Sequence, residues 1–104
     1  MQKYQGDVSI IAIEKLPEIE LKKLSNNGLV VAEGEATGHK HLLRPLKEAE
    51  IEWGIDINGF YLKVDKGEAI LEHPEHKEIT ISEGLYFIGH QFEYDEIAER
   101  RVSD

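Results

Sequence analysis

The stretch Leu29-Val30-Val31-Ala32-Glu33-Gly34-Glu35-Ala36-Thr37-Gly38-His39-Lys40-His41 decides how this chain is read. Its even positions, Val30, Ala32, Gly34 and Ala36, are small and apolar, while the odd positions end in Glu33, Glu35 and Thr37. A period of two predicts a β-strand from Leu29 to Thr37 with one face turned to a core. If the alternation runs on past Gly38, His39 and His41 join the polar face. Residues i and i+2 of a strand point the same way, with Cα atoms roughly 6.5–7 Å apart. Two imidazoles at that separation can converge on one metal ion. Gly38 is the point where the pattern can break, because glycine inside a strand often marks a bulge or bend.

The same alternation recurs on both sides of this stretch. Val8-Ser9-Ile10-Ile11-Ala12-Ile13 is β-branched and follows Gly6-Asp7, which predicts a buried strand ending before Leu16-Pro17. Glu18 to Leu24 carries signals for a helical turn (Pro17, and Glu18 with Lys22) and for an extended segment (Ile19 and Leu21 alternating with glutamates). The extended or irregular reading is preferred. Asn26-Asn27-Gly28 and Asn58-Gly59 are turn signals. Leu42 to Lys47 contains Pro45, which suggests an edge strand or a bend. Ile51 to Asp56, Phe60 to Asp65 and Glu68 to His73 read as strands, and the last places His73 on the apolar side with Ala69 and Leu71. A short strand at Ile79 and Ile81 follows. The aromatic run Leu85 to Tyr94 groups Tyr86, Ile88, His90, Phe92 and Tyr94 on one face. Trp53, Tyr86, Phe87 and Phe92 are expected in the core.

Short strands with a turn signal every 8–12 residues predict an all-β fold, a small barrel, roll or sandwich. The 104 residues are expected to form a single domain, with residues 95–104 as a capped turn or a tail. A chain of this size buries about 65% of the surface its unfolded form exposes, enough for one core.

Composition removes several functions. There is no cysteine, which excludes disulfides and thiolate metal sites. Twelve basic against 21 acidic residues give a formal charge of −9, with no basic face for nucleic acid. No apolar run of about 18 residues is present, so no membrane helix is expected. The residues from Met1 to Asp7 lack the apolar centre of a signal peptide, and the cytoplasm is the expected location. Ser9, Ser25, Ser82 and Ser103 lie outside any Gly-x-Ser-x-Gly elbow, and no phosphate-cradling glycine loop occurs.

Four of the five histidines fall into two clusters, His39-x-His41 and His73-Pro74-Glu75-His76. His39, His41, His73 and His76 are therefore the candidate ligands for a divalent metal such as zinc, nickel, iron or manganese. Glu35 is the nearest candidate carboxylate, followed by Glu72 and Glu75. If the site is catalytic, Glu35 or Glu75 is the candidate proton acceptor, acting on a small-molecule ligand beside the metal. His90, set among aromatics, is expected to be a hydrogen-bonded strand residue. The competing reading is a non-catalytic interaction module. Its strand edges would pair with a partner or with a second copy as a homo-oligomer, and the histidines would be structural.

Gly34-Glu35-Ala36-Thr37-Gly38-His39-Lys40-His41, His73-x-x-His76 and Gln91-x-Glu93-Tyr94-Asp95, with Gly6-Asp7-Val8, resemble a set of small, largely uncharacterised prokaryotic β-proteins. That resemblance runs from Gly6 to near the C-terminus and implies an all-β fold without implying an activity. A looser likeness is to the cupins, whose first motif joins a glycine to a His-x-His pair, as Gly34 and His39-x-His41 do here. It implies a metal site on a β-roll. The following Glu48 and Gly54 depart from the cupin spacing, and the Pro-x-Gly of the second cupin motif is missing.

Overall fold

A computed structural model of the chain describes residues 2–33 and 40–90, without the side chains of Glu33 and His90. Glu35, His39, the reading at Gly38, the aromatic positions Phe92 and Tyr94, and the segment 95–104 lie outside the described residues. Ten strands and no helix occur within them. No helix among the described residues is therefore long and apolar enough to cross a membrane.

The strands are β1 (Gln2–Gln5), β2 (Val8–Ala12), β3 (Lys22–Lys23), β4 (Leu29–Glu33) and β5 (Lys40–Pro45). They continue as β6 (Glu50–Asp56), β7 (Gly59–Lys66), β8 (Ala69–His73), β9 (His76–Ile81) and β10 (Gly84–His90). They form two antiparallel sheets, one ordered β1-β2-β10-β7-β6-β3 and the other β4-β5-β8-β9. Val8, Ile10, Leu62, Val64, Tyr86 and Ile88 of the first sheet share one buried cluster with Leu43, Leu71 and Ile81 of the second. The core is thus the layer between the sheets, and alternate residues of each strand enter it.

Three bulges change what alternation predicts. On β4 the register shifts between Val30 and Ala32, so Val31 is an extra residue. Val31 and Ala32 are both buried while Val30 is exposed, which corrects the reading of the even positions as a single inward face. On β7 an extra residue, Asp65, falls between the pairs Glu50↔Lys66 and Ile51↔Val64. The third bulge shapes the site. Leu71 pairs Ile79 and His73 pairs His76, so Lys77 and Glu78 of β9 together face Glu72 of β8.

The connection from β2 to β3 has neither helix nor regular strand before Lys22, and it runs over the outer face of the first sheet. Gly54 makes room for it. A Cβ there would meet the Ile19 Cδ1 at 2.6 Å and the Glu20 carbonyl oxygen at 2.7 Å. This strap and the sheet face enclose an open cleft of about 890 Å³ lined by Ile11, Leu16, Pro17, Tyr61 and Phe87 among others. Phe87 therefore stands on the outer face against Tyr61, with ring centroids 5.1 Å apart, and not in the core where composition would put it. The Tyr61 hydroxyl is held above its ordinary pKa by burial and, next, by Asp56.

On the outer face of the second sheet Arg44 donates two hydrogen bonds to Glu72, at 2.7 and 3.0 Å. The guanidinium holds the Glu72 carboxyl below its ordinary value of 4.5. A lowered carboxylate pKa adds stability that is full above the unfolded-state value and is lost as pH falls through the folded one. Acid titration of stability should therefore show a steeper loss below about pH 4.5 in the wild type than in Glu72→Gln. Both side chains are about a third exposed, so screening keeps the difference small. Equal slopes for the two proteins would show that the pair does not contribute.

Candidate functional site

The β5–β8–β9 pairing carries three histidines into one cross-strand row. Leu42 faces Glu72, so His41 and His73 lie one residue beyond the last β5–β8 pair, and His73 is paired with His76 across the Pro74-Glu75 turn. Neighbours across a sheet have Cβ atoms about 5 Å apart, which brings their side chains into contact. The ring centroids of His41 and His73 are 4.3 Å apart, those of His73 and His76 4.6 Å, and those of His41 and His76 6.2 Å. On the other side, His41 faces Ala32 of β4, whose small side chain leaves space for the imidazole. His41 is buried, His73 half-buried and His76 exposed, so the row runs from the core to the surface.

The buried end is held by Gln5, the last residue of β1, which is 1% exposed. Its Nε2 donates to the Leu71 carbonyl at 2.8 Å and to the Lys77 carbonyl at 2.9 Å. These oxygens flank the β8–β9 bulge, where the ladder is locally interrupted. The Gln5 amide thus takes the place of a missing ladder peptide and ties the edge of the first sheet to the second. Both of its N–H groups are used, so the Oε1, 2.9 Å from the His41 Nδ1, must accept. His41 therefore carries its proton on Nδ1 when neutral, and its Nε2 is the basic nitrogen. An imidazole whose Nδ1–H is fixed by a carbonyl-type oxygen is the usual arrangement behind a metal-binding Nε2.

His73 has the opposite tautomer. The Glu75 backbone N–H donates to its Nδ1 at 3.0 Å, so in the neutral ring the proton sits on Nε2. Ligation through that Nε2 would need a proton on Nδ1, pointing at the Glu75 N–H. His76 turns its Nε2 towards Gly6 of the β1–β2 turn, where a Cβ would lie 2.7 Å away. Gly6 has φ of +61°, so a side chain there is strained on both counts. Asp7, next in the chain, has its Oδ1 3.9 Å from the His41 Nε2.

Of the residues nominated by the sequence, His41, His73 and His76 are therefore together. His39 and Glu35 lie outside the described residues. Glu75 sits in the turn between the two hairpin histidines, where its backbone is what engages His73. Glu72, the other carboxylate considered, points to the outer face and is paired with Arg44. Sequence reasoning missed Gln5 and Asp7. Gln5 belongs to no apolar pattern. Asp7 figures in the sequence only as the residue before the first buried strand and within Gly6-Asp7-Val8, and neither place points to a histidine.

Among the described residues, no three His, Asp or Glu side chains could hold a metal ion as they stand. In addition, the Glu75 N–H on the His73 Nδ1 leaves the neutral His73 ring with an N–H at Nε2, where a ligand needs a lone pair. Every buried side-chain polar atom among the described residues is hydrogen-bonded. No curated protein and no solved structure matches the chain. A family model does match residues 4–91, from the strand that carries Gln5 to just beyond β10. The chain belongs to the family described as Domain of unknown function (DUF8820).

Proposed function

We propose that this small β-protein binds a divalent metal ion of the zinc, nickel, iron or manganese type through its clustered histidines. The observation that carries the reading is the meeting of His41 with the His73–His76 hairpin, rings 4.3 to 6.2 Å apart, from segments distant in the chain. The tautomer imposed on His41 by Gln5 supports it further. His39 belongs to the proposal on the His-x-His spacing alone, as does the likeness to a cupin β-roll. A bound metal with an open position would polarise a small oxygen-containing ligand, with Glu35 or Glu75 as the proton acceptor.

The test uses untagged protein. The expected result is about one metal per chain after exposure to zinc, lost in His41→Ala, with a melting temperature that rises with free zinc as mass action requires. A wild-type protein that stays metal-free, and whose melting ignores zinc, nickel and manganese, ends the reading. The alternative, an interaction module, has its own support in the β6–β7 hairpin, where Ile57 is fully exposed and Ile55 is 54% exposed. Light scattering on the same samples separates the two: a metal-free dimer favours the module.

A further inference from the structure

We infer that the cleft under the β2–β3 strap is a binding site for a zwitterion bearing an aromatic ring, either an aromatic amino acid or a short peptide that contains one. The site lies on the outer face of the first sheet and uses none of the histidines, so it stands or falls separately from the metal reading. Its floor is set by the register. Ile11 of β2 pairs Phe87 of β10, Phe87 pairs Tyr61 of β7, and Tyr61 pairs Gly54 of β6, which makes one cross-strand row. The strap crosses that row at Gly54, against which Ile19 packs, and Ile11, Phe87 and Tyr61 line the cleft beside it. The Phe87 ring lies over bare backbone, since a Cβ at Gly59 would stand 3.0 Å from it and one at Gly89 2.7 Å. The Phe87 and Tyr61 rings, 5.1 Å apart and tilted by 54°, are both half-buried, so each keeps aromatic surface for a ligand.

A cleft of about 890 Å³ has the size of a small-molecule site, in which an apolar lining holds the ligand and a few polar groups orient it. Leu16 and Pro17 of the strap extend the apolar lining, and its polar members are Lys15, Glu18 and Asn58. Lys15 and Glu18 are exposed and stand on the same short strap, so their charged ends can turn to a ligand seated on the rings. One ammonium and one carboxylate complement a ligand that carries one of each. A simple anion meets Glu18 and the field of a chain with a formal charge of −9, and a simple cation meets Lys15. A zwitterion is attracted by both side chains, and its ring covers aromatic surface otherwise left to water.

The experiment follows the amide shifts of the untagged, metal-free full chain by NMR during titration with L-phenylalanine and with glycyl-L-phenylalanine. Three controls each lack one element: phenylpropanoate the ammonium, phenethylamine the carboxylate and L-alanine the ring. At least one of the two aromatic zwitterions should bind, with shifts centred on Ile11, Tyr61 and Phe87, and the tighter of them identifies the source. Each control should bind at least about threefold more weakly, the scale of one exposed ion pair. Lys15→Gln should weaken the zwitterion about threefold without weakening phenethylamine, and Glu18→Gln should do so without weakening phenylpropanoate. Both side chains are exposed, so the melting temperatures of the two variants should match the wild type. Absence of shifts at the cleft with either zwitterion overturns the proposal. A control that binds as tightly, or charge variants without this ligand-by-ligand split, overturns it too. None of these results bears on zinc uptake, which tests the metal reading by itself.

Discussion

Gln5→Leu should lower the unfolding free energy by about 3 kcal/mol, since a buried polar group left without its partner costs about 1–3 kcal/mol. The substitution is close in volume and apolar, so packing itself changes little. What changes is the bonding of three groups: the Leu71 carbonyl, the Lys77 carbonyl and the His41 Nδ1–H. The Leu71 and His41 hydrogen bonds are buried. The Lys77 carbonyl is nearer the surface, and solvent offsets part of its loss. In a domain of this size such a loss should lower the melting temperature by roughly 12–24 °C. A double-mutant cycle isolates the polar contact. His41→Leu made in the Gln5→Leu background removes one of the unpaired groups, so it should cost about 1–2 kcal/mol less than in the wild type. Additive costs within about 0.5 kcal/mol would show that the Gln5–His41 hydrogen bond does not hold the two sheets together. Urea unfolding with global fits of midpoint and slope is the measurement.

This clasp also marks the limit of what the sequence discloses. Where alternation is intact, as on the stretch of β7 before its bulge, with Leu62 and Val64 inside and Tyr61 and Lys63 half-buried on the other side, the strand and its faces can be read directly. Where an extra residue enters, as at Val31, the strand is still legible but its facing is not, because a one-residue shift exchanges the two faces. β1 was invisible for a different reason. Gln2-Lys3-Tyr4-Gln5 has no apolar period, and its place is set by the register with β2 and by one side chain reaching the opposite sheet. Phe87 shows the converse error, in which hydrophobicity alone was taken as burial in the core. The fold supplies it instead with an outer cleft roofed by the strap.

The histidine site follows the same division. The clustering of the histidines in the sequence nominates a meeting point of two segments, and of its members His41 lies against His73 and His76, while His39 is outside the described residues. Which nitrogen each ring offers could not be read from spacing. It depends on Gln5, which is 36 residues from His41, and on a backbone N–H in the turn at Glu75. Residue type nominates a ligand, whereas the hydrogen bond on its other nitrogen decides whether it can act as one.

Leu71→Ala tests the apolar half of the same construction and should cost about 2–5 kcal/mol, the usual range for a buried leucine cut back to alanine. Leu71 is 0% exposed and is flanked by Leu43 on β5 and Ile79 on β9. Its side chain lies in the core between the sheets, one row inward from the histidines. The strands on both sides are hydrogen-bonded and cannot collapse fully onto the space left behind, which places the cost towards the upper part of the range. The backbone carbonyl that Gln5 grips is retained, so the polar clasp should survive. Leu71→Ala and Gln5→Leu therefore act on one residue's surroundings through different physics. The first should leave the zinc affinity of the folded protein within about threefold of wild type, whereas the second, which frees the His41 ring to change tautomer, should weaken it by tenfold or more. Calorimetric titration well below each variant's melting temperature makes the comparison. An equal loss of affinity in both would mean that stability alone governs binding, and that the tautomer of His41 is not what the Gln5 amide contributes.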